Sequence, residues 1–144
     1  MSPFTACIVQ TTSLPYDKQG NLDRALRAME AAAARGASLI LFPEMFLTGY
    51  LIRDQLAQLA EPYPNGPALT VLGQKAKALS LGVVMGMPLA NPGGKPYNAV
   101  VMIDRDGNIY MESNDTSYQA LTPQTAYVMN RLLKNVLFSS VGTA

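Results

Sequence analysis

Leu39-Ile40-Leu41-Phe42-Pro43-Glu44-Met45-Phe46-Leu47-Thr48-Gly49-Tyr50 is the stretch that decides the fold. Four large apolar residues run into a proline, and a carboxylate follows at once. A run such as Leu39 to Phe42 reads as a strand buried on both faces, as in an α/β sheet. Pro43 cannot donate to a ladder, so regular pairing should end there. Glu44 is thereby placed at the carboxyl end of a core strand, where open α/β sheets hold their ligands. A carboxylate in that position is either paired and structural or chemically employed, and the spacing alone leaves both readings open.

The flanking sequence supplies the rest of such a sheet. Ala6 to Gln10 reads as a first buried strand, and Thr11 to Gly20 as a polar loop broken by Pro15 and Gly20. Asn21 is the expected N-cap of a helix from Leu22 to about Arg35, with Leu22, Ala25, Leu26, Met29 and Ala33 as its apolar stripe and Gly36 as its stop. The strand at Ser38 to Phe42 follows. A short helix is expected around Asp54 to Ala60, then a loop marked by Pro62, Pro64 and Gly66. Pro67 opens a helix carrying Leu69, Leu72, Ala76 and Leu79, with Gly82 as its end. Val83 to Met87 is a third buried strand. Tyr97 to Ile103 and Ile109 to Met111 form a hairpin around Asp106-Gly107, a favoured turn pair. This order predicts a mixed sheet with two helices on one face and Ile8, Ile40, Val84 and Val101 in its core.

Composition narrows the chemistry. The chain has 144 residues, 49% of them hydrophobic and 15% charged, which suits a globular domain with a real core. Its net charge is +1 without a basic run, so no nucleic-acid partner is expected. No apolar run approaches the roughly 18 residues of a membrane span. The N-terminal residues lack the charged and apolar regions of a signal peptide, and one cysteine excludes an internal disulfide. Both point to a reducing, cytoplasmic setting. The chain contains no histidine, which removes Ser-His-Asp and Cys-His catalysis and the usual histidine-bearing zinc sites. Chemistry must then come from Glu, Asp, Lys, Cys, Ser or Tyr. Pro92-Gly93-Gly94 is too short and wrongly placed for a phosphate loop, and neither a cofactor nor a metal is expected.

Taken together, Ala6-Cys7-Ile8-Val9-Gln10, the following helix, Phe42 to Tyr50, Gly82-Val83-Val84-Met85-Gly86, and Tyr97 to Asp104 with Asp106-Gly107 resemble the first part of the nitrilase, or carbon–nitrogen hydrolase, superfamily. The resemblance covers about residues 4 to 110 in order and spacing. It implies an αββα sandwich, here a partial one, that pairs the sheets of two subunits as a homo-oligomer. It also implies hydrolysis of a small amide, N-carbamoyl compound or nitrile by a Glu-Lys-Cys set. In such a set a thiolate attacks the carbon, a glutamate is general base and acid, and a lysine stabilises the tetrahedral intermediate. Glu44 matches the family's glutamate.

The family's lysine should follow the hairpin after Asp104, but the chain reads Tyr110-Met111-Glu112-Ser113-Asn114-Asp115 and has no lysine until Lys134. Cys7 is the one thiol, and its place inside the first strand reads as a buried structural cysteine. Tyr50 and Tyr97 are candidates to line a substrate pocket near Glu44, or else buried tyrosines packing a sheet edge. Asn98 is a third binding candidate, or an amide organising a turn.

The tail resembles something else. Asp104 to Tyr110, then Leu121 to Val136 and Gly142-Thr143-Ala144, are similar to a segment of a class A penicillin-binding protein transpeptidase domain, without any of that family's catalytic motifs. Its plain reading is an amphipathic helix capped by Thr122, opened by Pro123 and buried along Ala126, Met129, Leu132, Leu133, Val136 and Leu137. The expected organisation is a hydrolase-like domain over residues 1–110 and a helical tail over 111–144. The junction falls between about Asp104 and Met111, in a fused chain or in a divergent hydrolase tail. With its catalytic set incomplete, the chain is expected to be inactive alone or a self-associating fragment.

Overall fold

Parallel strands need a crossover, and a long helix supplies each of the two in this chain. The structure, a computed structural model, describes residues 4–52, 55–110 and 121–138, with side chains of 135–138 excepted. Its elements in order are β1 (Ala6–Ile8), α1 (Lys18–Ala34), β2 (Leu39–Leu41), α2 (Leu56–Leu59), α3 (Pro67–Leu79), β3 (Gly82–Leu89), β4 (Tyr97–Ile103), β5 (Ile109–Tyr110) and α4 (Pro123–Phe138). Contacts divide the chain into two units, Met1–Glu112 and Ser113–Ala144.

In the first unit a five-stranded sheet runs β1-β2-β3-β4-β5, the chain order itself. β1, β2 and β3 pair in parallel, and β3, β4 and β5 antiparallel. The core is formed by Leu22, Ala25, Met29 and Ala32 of α1, Leu69, Leu72 and Ala76 of α3, and Ile40, Val83, Met85, Val101 and Ile103 of the sheet. The alanines of α1 permit close approach, and the helices α1 and α3 pack against each other. The mixed sheet with two helices on one face is therefore present as the sequence implies.

Register explains where the expected core was wrong. Cys7, Ile40, Val83 and Ile103 are cross-strand partners and face the helices. One residue on, Ile8, Leu41, Val84, Met102 and Tyr110 form a second row of partners on the opposite face. A single step along a strand changes its face. Ile40 and Val101 are fully buried as expected, but Ile8 is 75% exposed and Val84 only half-buried.

Other corrections are local. α1 starts at Lys18, not Leu22, because the Asp17 carboxylate caps it by accepting from the Gly20 N–H at 2.9 Å. Asn21 lies inside the helix, fully buried. Its Nδ2 donates to the Leu14 and Leu47 carbonyls, and its Oδ1 accepts from the Leu14 N–H. It ties the loop before α1 to the loop after β2. Ala32 is buried in place of Ala33. Gly36 does end α1, at φ +77° after the C-cap Arg35. Ser80, left-handed at φ +50°, ends α3 rather than Gly82, which opens β3. β1 and β2 are shorter than expected and β3 longer. The expected helix start at Asp54 and strand end at Met111 lie outside the described residues. The β4–β5 turn takes Gly107 at φ +87°. There the Asn108 side-chain amide, with the Asn108 and Asp106 N–H groups and the Tyr110 hydroxyl, holds the Asp104 carboxyl below the usual aspartate range.

In the second unit, Thr122 caps α4 by accepting from the Thr125 N–H at 3.2 Å. The expected buried stripe is not buried: Met129, Leu132 and Leu133 are exposed and Ala126 half-buried. The side chains of Val136 and Leu137 lie outside the described residues, as does the junction at Met111. No helix among the described residues is long and apolar enough to cross a membrane.

Candidate active site

β2 ends at Leu41, yet the chain stays on β3 through two further bonds. The Phe42 N–H donates to the Val84 carbonyl at 2.8 Å, and the Phe46 N–H to the Gly86 carbonyl at 3.0 Å. In a regular parallel ladder the second donor would be Glu44. Pro43, on the side that faces β1, has no N–H to extend that pairing, and Met45 turns left-handed at φ +52°, which carries the chain off the regular path along β3. A non-glycine residue there carries a cost that the surroundings must hold in place. They do so with the Thr48 and Gly49 N–H groups, which both donate to the Met45 carbonyl. Phe46 and Leu47 are buried behind the turn, and the Phe42 and Phe46 rings lie 5.0 Å apart. Gly49 sits so close to Pro15 that a Cβ would fall 2.6 Å from the Pro15 Cα. The result is an exposed carboxylate on a turn whose following residues, 45 to 49, are buried.

Glu44 meets one of the other sequence candidates directly. Asn98, on β4 opposite Pro88, donates from Nδ2 to Glu44 Oε1 at 2.5 Å. Its amide therefore binds the carboxylate rather than organising a turn. Tyr50 and Tyr97 are 66% and 54% exposed, so neither is a buried packing residue. Both line a cleft of about 200 Å³ together with Glu44, Asn98, Met45, Leu56, Pro88 and Pro96. The arrangement offers a carboxylate with one oxygen held by Asn98 and the other without a partner among the described residues, an amide beside it, and two aromatic walls. Such a site can accept and return a proton next to a small polar molecule.

Cys7 is elsewhere. It is half-buried in the row that faces the helices. Gly86, over which Glu44 lies, alternates with the inward Met85 and Met87 and belongs to the opposite face. Residues 111–115, where the family's lysine is expected, lie outside the described residues. Among the described residues no group of His, Cys, Asp or Glu is placed to hold a metal ion.

Sequence reasoning passed over Glu61. It is fully buried, with Oε1 accepting from the Ala68 N–H at 2.7 Å and Oε2 lying 2.5 Å from Lys18 Nζ. The contact with Lys18 is an ion pair. The Glu61 backbone also pairs with the end of β3 beside the cleft, through the Pro88 carbonyl and the Ala90 N–H. Its carboxylate caps α3 from seven residues upstream, a spacing no capping pattern names.

Comparisons with known proteins place the chain in a family. The sequence profile of the family described as carbon-nitrogen hydrolase matches residues 5–143. An (R)-stereoselective amidase of Pseudomonas sp is 35% identical over 100 residues, covering 69% of this chain and 35% of the amidase. A glutamine-dependent NAD(+) synthetase of Thermotoga maritima is 34% identical over 109 residues, covering 76% of this chain and 18% of the synthetase. Among solved structures, an amidase from Nesterenkonia sp. superposes with a TM-score of 0.65 at 25% identity, covering 82% of this chain and 44% of that one. The chain thus spans less than half the length of these relatives. The profile match continues through the tail, and it lends no support to the transpeptidase resemblance there.

Proposed function

The chain belongs to the carbon–nitrogen hydrolase family, and from that premise we propose that its cleft is the base-bearing part of a site that hydrolyses small non-peptide amides, with N-carbamoyl compounds and nitriles as related substrates. One observation carries the reading: Glu44 stands exposed at the carboxyl end of a core strand, oriented by Asn98, at the mouth of a small cleft. In the reaction Glu44 takes the proton of an attacking thiol and returns it to the departing nitrogen. Asn98 keeps one carboxylate oxygen occupied, so the other is the proton acceptor. Tyr50 and Tyr97 flank the amide. The thiolate and the cationic lysine are not supplied by Cys7 or by the described residues around the cleft. Support for an amide comes from two variants of the Nesterenkonia amidase, one solved with acrylamide and one with acrylamide added to its active-site cysteine.

The test is a ¹⁵N–¹H titration with propionamide. The expected result is saturable, millimolar shifts confined to Tyr50, Tyr97, Asn98 and Glu44, weakened about tenfold by Tyr97→Ala through loss of one aromatic wall. Shifts scattered over the surface, or none, would remove the reading.

A second reading concerns association, and it rests on the outer row. Ile8, Leu41, Val84, Met102 and Tyr110 cross all five strands without a charge, and Ile8, Met102 and Tyr110 are more than half exposed. Val100 lies on the same face, 61% exposed. The row is apolar enough to pack against its own copy, and we propose a second copy of the chain as its occupant. Met102→Glu is expected to weaken self-association in sedimentation equilibrium by ten- to about a hundredfold, the loss of one buried side chain. A wild-type chain that sediments as a monomer at about 100 μM would exclude a stable dimer.

A further inference from the structure

We propose that Gly86 is a positioning residue for Glu44, and that its bare backbone is the seat on which the carboxylate-bearing turn rests. The inference builds on the reading of Glu44 as the base of the site. The observation is steric. A Cβ at Gly86 would stand 2.6 Å from the Glu44 Cα, 3.1 Å from the Met45 N and 3.1 Å from the Pro43 carbonyl oxygen. All three are backbone atoms, so no rotamer change can make room. Gly86 has no left-handed φ among the positive angles of this chain, so clearance and not conformational freedom is what the glycine provides.

The ladder shows why the clearance is needed there. Two residues more than a regular parallel strand would use lie between the bonds to Val84 and Gly86. The extra chain bulges over β3 at position 86, and a side chain on that face would occupy the same volume. Two residues further along the β3–β4 pairing, Pro88 faces Asn98. The glutamate is thereby fixed at two points. Gly86 sets the height of its Cα above the sheet, and Asn98 holds its tip from the neighbouring strand. Raising the Cα by the width of a methyl group moves the carboxylate while Asn98 stays in its ladder. The Nδ2 to Oε1 bond is then lost.

Gly86→Ala tests this in the 144-residue chain, with Gly82→Ala as the control. At position 82 the added Cβ meets first the Leu39 Cδ1, at 3.1 Å, the end of a flexible side chain. Both variants place an alanine in the same strand, but only one lies under Glu44. The readout is the cross-peak between the Asn98 side-chain amide and the Glu44 γ-methylene, with the Glu44 carboxyl carbon resonance assigned through Glu44→Gln. The expected result is loss of the cross-peak and a shifted carboxyl carbon in Gly86→Ala, with amide resonances of α1 and α3 in place. Gly82→Ala should keep both signals. An unchanged cross-peak in Gly86→Ala overturns the proposal. So does a Gly86→Ala chain that fails to fold while Gly82→Ala folds, because Gly86 is then a folding requirement and not a positioning residue. No substrate enters the measurement, so its failure is separate from a failure to bind propionamide.

Discussion

Purified as these 144 residues, the chain will turn over no simple amide, N-carbamoyl amino acid or nitrile above the rate in buffer. Glu44 can accept a proton, but a base without a nucleophile has nothing to activate. Catalytic groups of this kind act as a unit, and removing the nucleophile alone costs a factor on the order of a million. Cys7 is the one thiol in the sequence, and it shares the helix-facing row with Ile40 while Glu44 rides over the opposite face at Gly86. The sheet itself separates base from thiol. Ammonia release and product formation, followed for each substrate, check the rate. Intact-mass measurement after incubation checks for an acyl group on the chain. Turnover accompanied by an adduct that disappears in both Cys7→Ala and Glu44→Gln would refute the expectation and make Cys7 the nucleophile.

Glu61→Ala will cost the fold about 3 kcal/mol, the largest loss expected from a single polar residue here. The substitution strips the Ala68 N–H of its acceptor inside the protein and leaves a void where the carboxylate was. It also removes the partner of Lys18, but that side chain is 27% exposed and water compensates much of its loss. Gly66 packs on the same carboxylate, since a Cβ there would lie 2.3 Å from Glu61 Oε1. The start of α3 is thus built around Glu61. Glu61→Gln keeps an oxygen for the Ala68 N–H and should cost about half as much. Urea unfolding of the three chains measures both differences. A Glu61→Ala loss below about 1 kcal/mol would show that the buried pair is dispensable.

Residues whose roles are set by local pattern were readable from the sequence. Leu39 to Phe42, ended by Pro43, gave the second strand and the place of Glu44. Gly36 gave the stop of α1, and Asp106-Gly107 the turn between β4 and β5. Features decided by partners distant in the chain were not readable. Ile8 and Val84 lie one residue from inward-facing neighbours, and in a short apolar run either parity is possible until the register is known. Asn21 looked like a cap because asparagine caps helices, but its amide serves two loops that only the fold brings together. Glu61 carries no local signature at all, since its partners are Lys18 and Ala68. In the same way the sequence marked Asn98 as a candidate, but its bond to Glu44 spans 54 positions.

The strand order has a consequence for how the molecule forms. Because every strand lies beside its neighbour in the chain, no strand waits for a later one to be threaded between two already placed. β3 and β4 are joined by a short turn and share the longest ladder, seven cross-strand partners. Closing so short a loop loses little entropy, so this hairpin should form first. β2 and then β1 must each fold back across a helix to join it, and each does so through three partners. Glu44 is therefore assembled late, when β2 docks on a β3 already held by β4, and Asn98 is waiting there when it arrives.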